Sequence, residues 1–329
     1  MTDLTVRYLG LTLKNPIIAA SSGYTGDIKH LKELEDNGAA AVVLKSVFEE
    51  EIINEFSEHL NADDEFQSNL EFLDYYDYEL KEGALEEYVN LIKDAKKNLL
   101  IPVIASINCI SAHEWTDFAA KIENAGADAL ELNIFLLPSD THKTGVEIEN
   151  TYFEIIKKVL NKVKIPVAVK MSPYFSNLSN MIQRLSETGI SGLVLFNRSY
   201  TPDVDIDTME VVSSSVLSKP DDYTLPLRWT ALMSDSVKCP LSASTGIHNA
   251  DSLIKLLLAG ASVVQIASVI YVNGAGHINK MLTDLEDWMN RNNYFNIDRF
   301  RGKLSSKKIK NPAEFERVQF MKYFGNRGV

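Results

Sequence analysis

The chain has 329 residues, of which 45% are hydrophobic and 24% are charged, and its formal net charge is −12. This length and apolar content can bury one large core, and we expect residues 1–329 to form a single domain. The acidic balance argues against nucleic acid as a partner, because binding to a phosphate backbone needs clustered lysine and arginine. No apolar run approaches the length of a membrane span, so no membrane partner is expected.

The two cysteines, Cys109 and Cys239, are too few and too far apart for a disulfide framework or a zinc site. The N-terminus lacks the apolar segment of a signal peptide. Both observations favour a cytoplasmic protein. An iron–sulfur centre would have to come from a second subunit, because no cysteine cluster is present in the sequence.

Apolar runs of strand length recur along the chain, and each is followed by a helical pattern. Near-continuous apolar strands are typical of a parallel sheet that is buried on both faces. Several predicted helices end at a glycine, which supplies the left-handed conformation that stops a helix. Eight such units predict an α/β fold, a (β/α)8 TIM barrel, with a doubly wound sheet as the alternative. The predicted strands are 15–20, 41–45, 102–107, 128–133, 166–171, 192–197, 240–244 and 262–267.

Two connections are too long to be simple turns: residues 47–82 after strand 2 and residues 198–226 after strand 6. Long loops in compact domains are usually functional. Both leave the carboxyl ends of strands, which form the catalytic face of a barrel. They are therefore predicted to be lids over a site. The basic tail from residue 293 onward is predicted to pack on the barrel as a solvated segment.

The segment 241–268 predicts a phosphate site. It is a strand, a turn of small residues at Ser244, Thr245 and Gly246, a helix, and a second strand. Asn249 is a suitable N-cap for that helix, and a helix N-terminus with free backbone N–H groups attracts phosphate. In a TIM barrel, the last two strands are a common location for such a site.

Polar residues stand where the predicted strands end, and in a barrel these ends converge on one rim. The set contains two lysines and three asparagines, with neither a metal-ligand cluster nor a Ser-His-Asp arrangement. Amide-rich recognition of a planar heterocycle, beside a cation and a phosphate, describes a flavin mononucleotide (FMN) site. A lysine near the pyrimidine edge would favour the reduced, anionic flavin. The main strand-end residues are Ser21, Lys45, Ser46, Asn108, Asn133, Lys170, Asn197 and Thr245.

With these motifs in this order, the chain resembles the soluble class of dihydroorotate dehydrogenases, FMN-dependent TIM barrels of pyrimidine biosynthesis. The resemblance rests on LGLTLKNPIIAASSG near the start, AGADALELN at 125–133, VAVKMSP at 167–173 and STGI followed by LLLAGASVVQIAS. It implies a small-molecule substrate, a homodimer and an electron-transfer partner. Lys45 is implied both in flavin contact and in catalysis. The implied cofactor-binding residues are Ala20, Ser21, Lys45, Ser46, Asn108, Asn133, Lys170, Asn197, Thr245, Gly246, Ala267 and Ser268.

The resemblance breaks after strand 4. There the family has Asn-Leu-Ser-Cys-Pro-Asn, with cysteine or serine as the base, whereas this chain has NIFLLPSD at 133–140. Leucine occupies the base position and cannot take a proton. Ser139 and His142 are candidates for a displaced base, since histidine titrates nearest to neutral pH; Cys109 and Tyr24 are further candidates. A carboxylate at Asp140 would repel an anionic substrate.

After strand 2, the family's substrate loop Asn-x-Met-Gly-Leu-Pro-Asn is replaced by QSNLEFLDYYDYEL. Together the departures predict slow or absent turnover of dihydroorotate by an otherwise intact flavin enzyme. Two other classes stay open. One is a phosphate-binding barrel lyase or isomerase in which Lys170 forms a Schiff base. The other is a non-catalytic flavin-binding subunit of a larger redox assembly.

Overall fold

The computed structural model describes residues 2–48, 70–108, 114–198, 202–214 and 216–316. Its centre is a ring of eight parallel strands, in which each strand pairs with the next and the last pairs with the first. The predicted (β/α)8 TIM barrel is therefore confirmed, and all eight predicted strands are present. The barrel strands are β1 (Ile17–Ala19), β2 (Ala41–Val43), β3 (Val103–Asn108), β4 (Ala129–Asn133), β5 (Val167–Met171), β6 (Gly192–Leu195), β7 (Leu241–Ser244) and β8 (Val263–Ile266).

Helices surround the ring and cover the outer faces of the strands. The helix Leu178–Ser186 shows how they pack: it turns an apolar stripe inward, in which Met181, Ile182 and Leu185 are fully buried. Gly38, Gly126 and Gly260 follow three of the helices with φ of 97°, 96° and 117°, as predicted for C′ positions. The described helices are α1 (Ile28–Asp36), α2 (Leu70–Asn98), α3 (Glu114–Ala125), α4 (Gly145–Lys162), α5 (Leu178–Ser186), α6 (Thr224–Met233), α7 (Ala250–Ala259), α8 (Ser268–Asn273), α9 (His277–Arg291) and α10 (Ala313–Glu316).

An antiparallel hairpin of Val6–Tyr8 and Leu11–Leu13 closes the amino-terminal end of the barrel. A Cβ at Gly192, the first residue of β6, would lie 2.7 Å from Leu9 and 2.9 Å from Tyr8. The strand therefore begins with glycine because the hairpin lies directly against it.

The connection after β2 is shorter than predicted. The sequence predicts a loop over 47–82, but α2 begins at Leu70, so the second part of that prediction is wrong. No glycine or proline interrupts residues 70–82, which leaves the helix unbroken despite their acidic and aromatic character. Val47–Phe48 adds a short parallel pairing to β3. Residues 49–69 lie outside the described part of the chain.

The connection after β6 contains an antiparallel hairpin, formed by Pro202–Asp205 and Glu210–Ser213. α6 then begins at Thr224, close to the predicted end of the loop. A lid function for either connection stays a prediction.

The tail packs on the barrel, as predicted up to residue 316. Phe300 is fully buried, and the N–H of Gly302 donates to the carbonyl of Leu257 at 2.9 Å. None of the described helices is both long enough and apolar enough to cross a membrane.

Candidate active site

A cavity of about 610 Å³ opens at the carboxyl ends of the barrel strands. This is the face where TIM-barrel enzymes carry their active sites. All the residues predicted from the sequence to bind a cofactor line this one cavity: Ala20, Ser21, Lys45, Ser46, Asn108, Asn133, Lys170, Asn197, Thr245, Gly246, Ala267 and Ser268. Residues from the ends of all eight strands thus meet at the cavity, as the sequence predicts.

Serine hydroxyls line the side of the cavity above β1 and β2. The Ser21 and Ser46 hydroxyls are 2.9 Å apart, and that of Ser46 is 2.7 Å from the hydroxyl of Ser106. The backbone N–H of Ser46 also donates to Ser21 Oγ at 2.9 Å. Because these bonds join β1, β2 and β3, they hold the three strand ends in a fixed arrangement around the cavity wall.

The floor of the cavity carries a buried polar network that the sequence reasoning missed. Lys170 on β5 donates from Nζ to Gln265 Oε1 at 3.1 Å and lies 3.6 Å from Glu131 Oε1. Gln265 Nε2 in turn donates to Glu131 Oε2 at 2.6 Å. Glu131 and Gln265 are each 1% exposed. The sequence did contain a signal for this network: Glu131 interrupts the apolar run ALELN, and Gln265 interrupts SVVQIA. Polar residues in buried strands rarely lack a partner, so each predicts a buried polar contact.

Two asparagines form the wall between β4 and β6. Asn197 Nδ2 donates to Asn133 Oδ1 in a short hydrogen bond. Asn197 Oδ1 is buried and has no hydrogen-bond partner among the described groups. A buried carbonyl oxygen without a donor is costly, and at a cavity wall it is suited to accept from a bound molecule.

The turn after β7 is the predicted phosphate site. Thr245 and Gly246 have φ of 82° and 74°, and a Cβ at Gly246 would lie 2.1 Å from the backbone nitrogen of Tyr223. Only glycine fits there, because the neighbouring loop passes so close.

The helix that follows the turn contributes less than the sequence predicts. Asn249 is its N-cap, as predicted, but its side chain and that of Ser252 form a capping box that occupies N–H groups at the start of α7. The cavity lining ends at Ile247, so the turn itself and the residues Ala267–Ser268 remain as the candidate phosphate contacts.

Arg198 secures the loop that borders this end of the cavity. Its guanidinium donates to the carbonyls of Val216 and Leu217 at 2.9 Å each and pairs with Asp222 at 3.0 Å. Ser218, from the same loop, donates its N–H to Ser268 Oγ at 2.9 Å. Arg198 therefore fixes the loop against the candidate phosphate site.

His248 lies beside the same loop. Ser218 Oγ is 3.1 Å from His248 Nε2, and partial burial lowers the pKa of this histidine. The neutral imidazole is thus favoured in the folded protein.

The segment after β4 provides no base at the cavity wall. Phe135 lines the cavity and makes an edge contact with Tyr174. Leu136 is half-buried, and Leu137 is 57% exposed. Ser139 and His142 are exposed and are not among the lining residues, so their role as a base stays a prediction. Cys109 lies outside the described residues.

Tyr24 is a poor candidate for the base. Its hydroxyl donates to Glu33 at 2.8 Å, and desolvation together with that carboxylate raises the pKa of Tyr24 to about 12. Its phenol therefore holds its proton at neutral pH. Within the described ranges, no group of three or more His, Cys, Asp or Glu residues could hold a metal ion.

A closed parallel barrel with a polar cavity at the carboxyl ends of its strands defines the chain as a TIM-barrel enzyme. The family model described as "Dihydroorotate dehydrogenase" matches residues 3–289. The chain belongs to the dihydroorotate dehydrogenase family, and it is a flavin-dependent oxidoreductase that acts on CH–CH bonds.

Curated relatives are similar over almost their whole length. A protein of Thermoplasma volcanium is 28% identical over 323 residues, which cover 92% of this chain and 98% of the relative. Proteins of Thermoplasma acidophilum and Methanocaldococcus jannaschii are 25% and 24% identical and are covered to 97% and 94% of their length. All three are named dihydroorotate dehydrogenase B (NAD(+)), catalytic subunit.

Proposed function

We propose that the chain binds FMN in the cavity at the carboxyl end of the barrel and oxidises a small substrate across a CH–CH bond. The reaction resembles the oxidation of dihydroorotate to orotate in pyrimidine biosynthesis, with altered substrate recognition. One observation carries the proposal: all the residues assigned to flavin binding from the sequence line a single cavity of about 610 Å³.

The residues at the cavity wall fit a flavin. Asn197 Oδ1 is a buried acceptor without a donor, and the isoalloxazine ring carries an N–H group that can satisfy it. Lys45 and Lys170 would contact the ring system, and the turn at Thr245 and Gly246, with Ser268, would hold the phosphate. When bound, FMN supplies the acceptor for a hydride.

The part of the site proposed to contact the substrate lacks a base, in contrast to the part proposed to bind the flavin. Oxidation of a CH–CH bond removes a hydride and a proton, and the proton needs a base within hydrogen-bond reach. Phe135 borders the cavity and leucines follow it, so no lining residue of this segment accepts a proton. We therefore propose that dihydroorotate is turned over slowly or not at all, and that a related small molecule is the substrate.

The names of the relatives support a proposal about the partner of this enzyme. Because these are catalytic subunits of NAD(+)-linked enzymes, we propose that a partner subunit accepts the electrons from this chain. The proposal includes a homodimer, as the resemblance implies, and a cytoplasmic location, which the cysteine content of the sequence favours.

The first experiment is to load the purified protein with FMN and titrate it with dithionite. We expect a yellow protein that bleaches on reduction. A protein that stays colourless with excess FMN would overturn the proposal. Addition of dihydroorotate to the loaded enzyme should then reduce the flavin far more slowly than dithionite does; fast, complete reduction would refute the altered substrate recognition while leaving FMN binding intact.

The same preparation separates the rival functions. A lyase that uses Lys170 as a Schiff-base residue would be trapped by borohydride with a carbonyl substrate. The contacts of Lys170 with Gln265 and Glu131 argue against this, because the amine must leave them before it can attack a carbonyl carbon. A non-catalytic subunit would bind FMN tightly yet be reduced by no small substrate.

A further inference from the structure

The buried network under the cavity crosses the barrel. Glu131 lies on β4 and Gln265 on β8, and three strands separate them in either direction around the ring. Their hydrogen bond therefore spans the barrel interior. Glu131 is two positions before Asn133, so both side chains point to the same face, with Asn133 at the cavity wall and Glu131 beneath it.

The Gln265 amide has only one orientation that satisfies both neighbours. Its NH₂ group donates to Glu131, and its oxygen accepts from Lys170. The flipped amide would direct NH₂ at an ammonium group and oxygen at a carboxylate. The amide thus connects the carboxylate to the lysine with matched polarity, and the remaining N–H donors of Lys170 are left for the cavity that it lines.

This arrangement is expensive for the fold. A carboxylate that is 1% exposed and an ammonium that is 8% exposed have both lost most of their hydration. Such pairs often contribute nothing to stability compared with apolar residues of similar volume. A role in core packing alone does not explain them, whereas a lysine presented to a ligand from a fixed position does.

We propose that Glu131, connected through Gln265, is the positioning residue that holds the Lys170 side chain at the floor of the active site. Glu131 does not line the cavity and acts only through Lys170. The position of Lys170 is argued from these contacts alone. The effect of that position on a bound flavin rests on the proposed function.

The first test needs no cofactor. The contacts of Lys170 with Gln265 and Glu131 restrict its amine, so loss of the Glu131 carboxylate should free the amine to react with acetic anhydride. In FMN-free protein, Glu131→Gln should therefore raise the acetylation rate of Lys170 at least tenfold, as measured by peptide mass spectrometry. Lys45, which lines the same cavity, serves as the internal control and should change less than twofold. Equal Lys170 rates in the two proteins would overturn the proposal.

A second measurement covers the case in which Glu131→Gln does not fold. Both lysines line the cavity, but in the unmodified protein Lys170 should acetylate about tenfold more slowly than Lys45, because Gln265 and Glu131 hold its amine. A Lys170 rate equal to or above that of Lys45 would contradict the proposal without any variant.

In FMN-loaded protein, removal of the negative charge leaves the cation uncompensated and favours the anionic reduced flavin. At a fixed dye potential, Glu131→Gln should raise the ratio of reduced to oxidised FMN about tenfold. In a Lys170→Met background, the same substitution should change the ratio less than twofold. A persistent tenfold effect there would show that Glu131 does not act through Lys170. Failure to bind FMN would refute the proposed function and leave the acetylation result standing.

Discussion

The floor and the rim of the active-site cavity are built in opposite ways. At the floor, Lys170, Gln265 and Glu131 are nearly fully buried and bonded to one another. At the rim after β4, residues 137–147 are exposed, and their hydrogen bonds are local, such as that from the His142 N–H to Asp140. The floor is thus specified by contacts between distant strands, whereas the rim is free to change. This difference would allow a family site to keep the residues proposed to bind the flavin while the segment proposed to supply the base changes.

The largest loss of FMN affinity is expected from a substitution in the turn that is proposed to bind the phosphate. In Gly246→Ala, the new Cβ would lie 2.1 Å from Tyr223 N and 2.6 Å from the carbonyl carbon of Asp222, at a residue with φ of 74°. The turn or the adjoining loop must move, and we expect FMN affinity to fall by about 100-fold or more, measured by fluorescence titration.

The matched control for this change is Gly10→Ala. Gly10 has φ of 72°, but a Cβ there would meet no atom within 4 Å. It carries the same backbone strain far from the cavity, so it should lower the melting temperature without changing FMN affinity. Loss of FMN binding in both variants would show that strain alone is responsible and that the turn has no special role.

A smaller loss is expected at the asparagine wall. Asn197→Ala removes the donor to Asn133 and the buried carbonyl oxygen proposed to accept from the flavin. A hydrogen bond of this kind contributes about 1–1.5 kcal/mol, so FMN should bind roughly tenfold more weakly. The control is Asn37→Ala at the end of α1, whose side-chain amide donates to the carbonyl of Glu33 and accepts from Asn279 Nδ2. Unchanged FMN affinity in Asn197→Ala would remove this residue from the site.

The eight strands and most of the cavity lining could be predicted from the sequence. Apolar runs at regular spacing mark the eight strands, and the residues at their ends identify the cavity lining, because parallel strands bring all their carboxyl ends to one face. Pattern and topology together therefore located residues as distant as Ala20 and Ser268 at one site.

The network at the floor could not be predicted in the same way. Glu131 and Gln265 are 134 residues apart, and their pairing depends on the width of the barrel and on side-chain conformations. The capping box at the start of α7 could not be predicted from local patterns either. Asn249 and Ser252 are equally suited to capping the helix and to contacting a ligand.

A modest loss of stability is expected at acid pH from the titration of His248. The pKa of His248 is lowered from 6.5 because the ring is partly desolvated, so between its folded-state pKa and 6.5 the unfolded chain binds more protons. Its contribution to stability is complete above that window and is lost as the pH falls through it. The drop in melting temperature between about pH 7.5 and 5.5 should therefore be smaller in His248→Gln than in the unchanged protein. His142→Gln, at an exposed position, should leave the drop unchanged; equal drops in all three proteins would exclude His248 as the source.

The smallest effect is expected at the rim. Ser139→Ala and His142→Ala alter exposed side chains outside the cavity lining, so FMN affinity should stay within about twofold of the unchanged protein. A base must come within hydrogen-bond reach of the proton that it removes, and neither residue lines the cavity. The rate at which dihydroorotate reduces the flavin should therefore also change less than about twofold, measured by stopped-flow absorbance. A loss of about 100-fold in either variant would identify that residue as the displaced base, because general base catalysis contributes about that much. It would also show that the rim folds over the cavity when substrate binds, and the exposed segment after β4 would then be a working part of the active site.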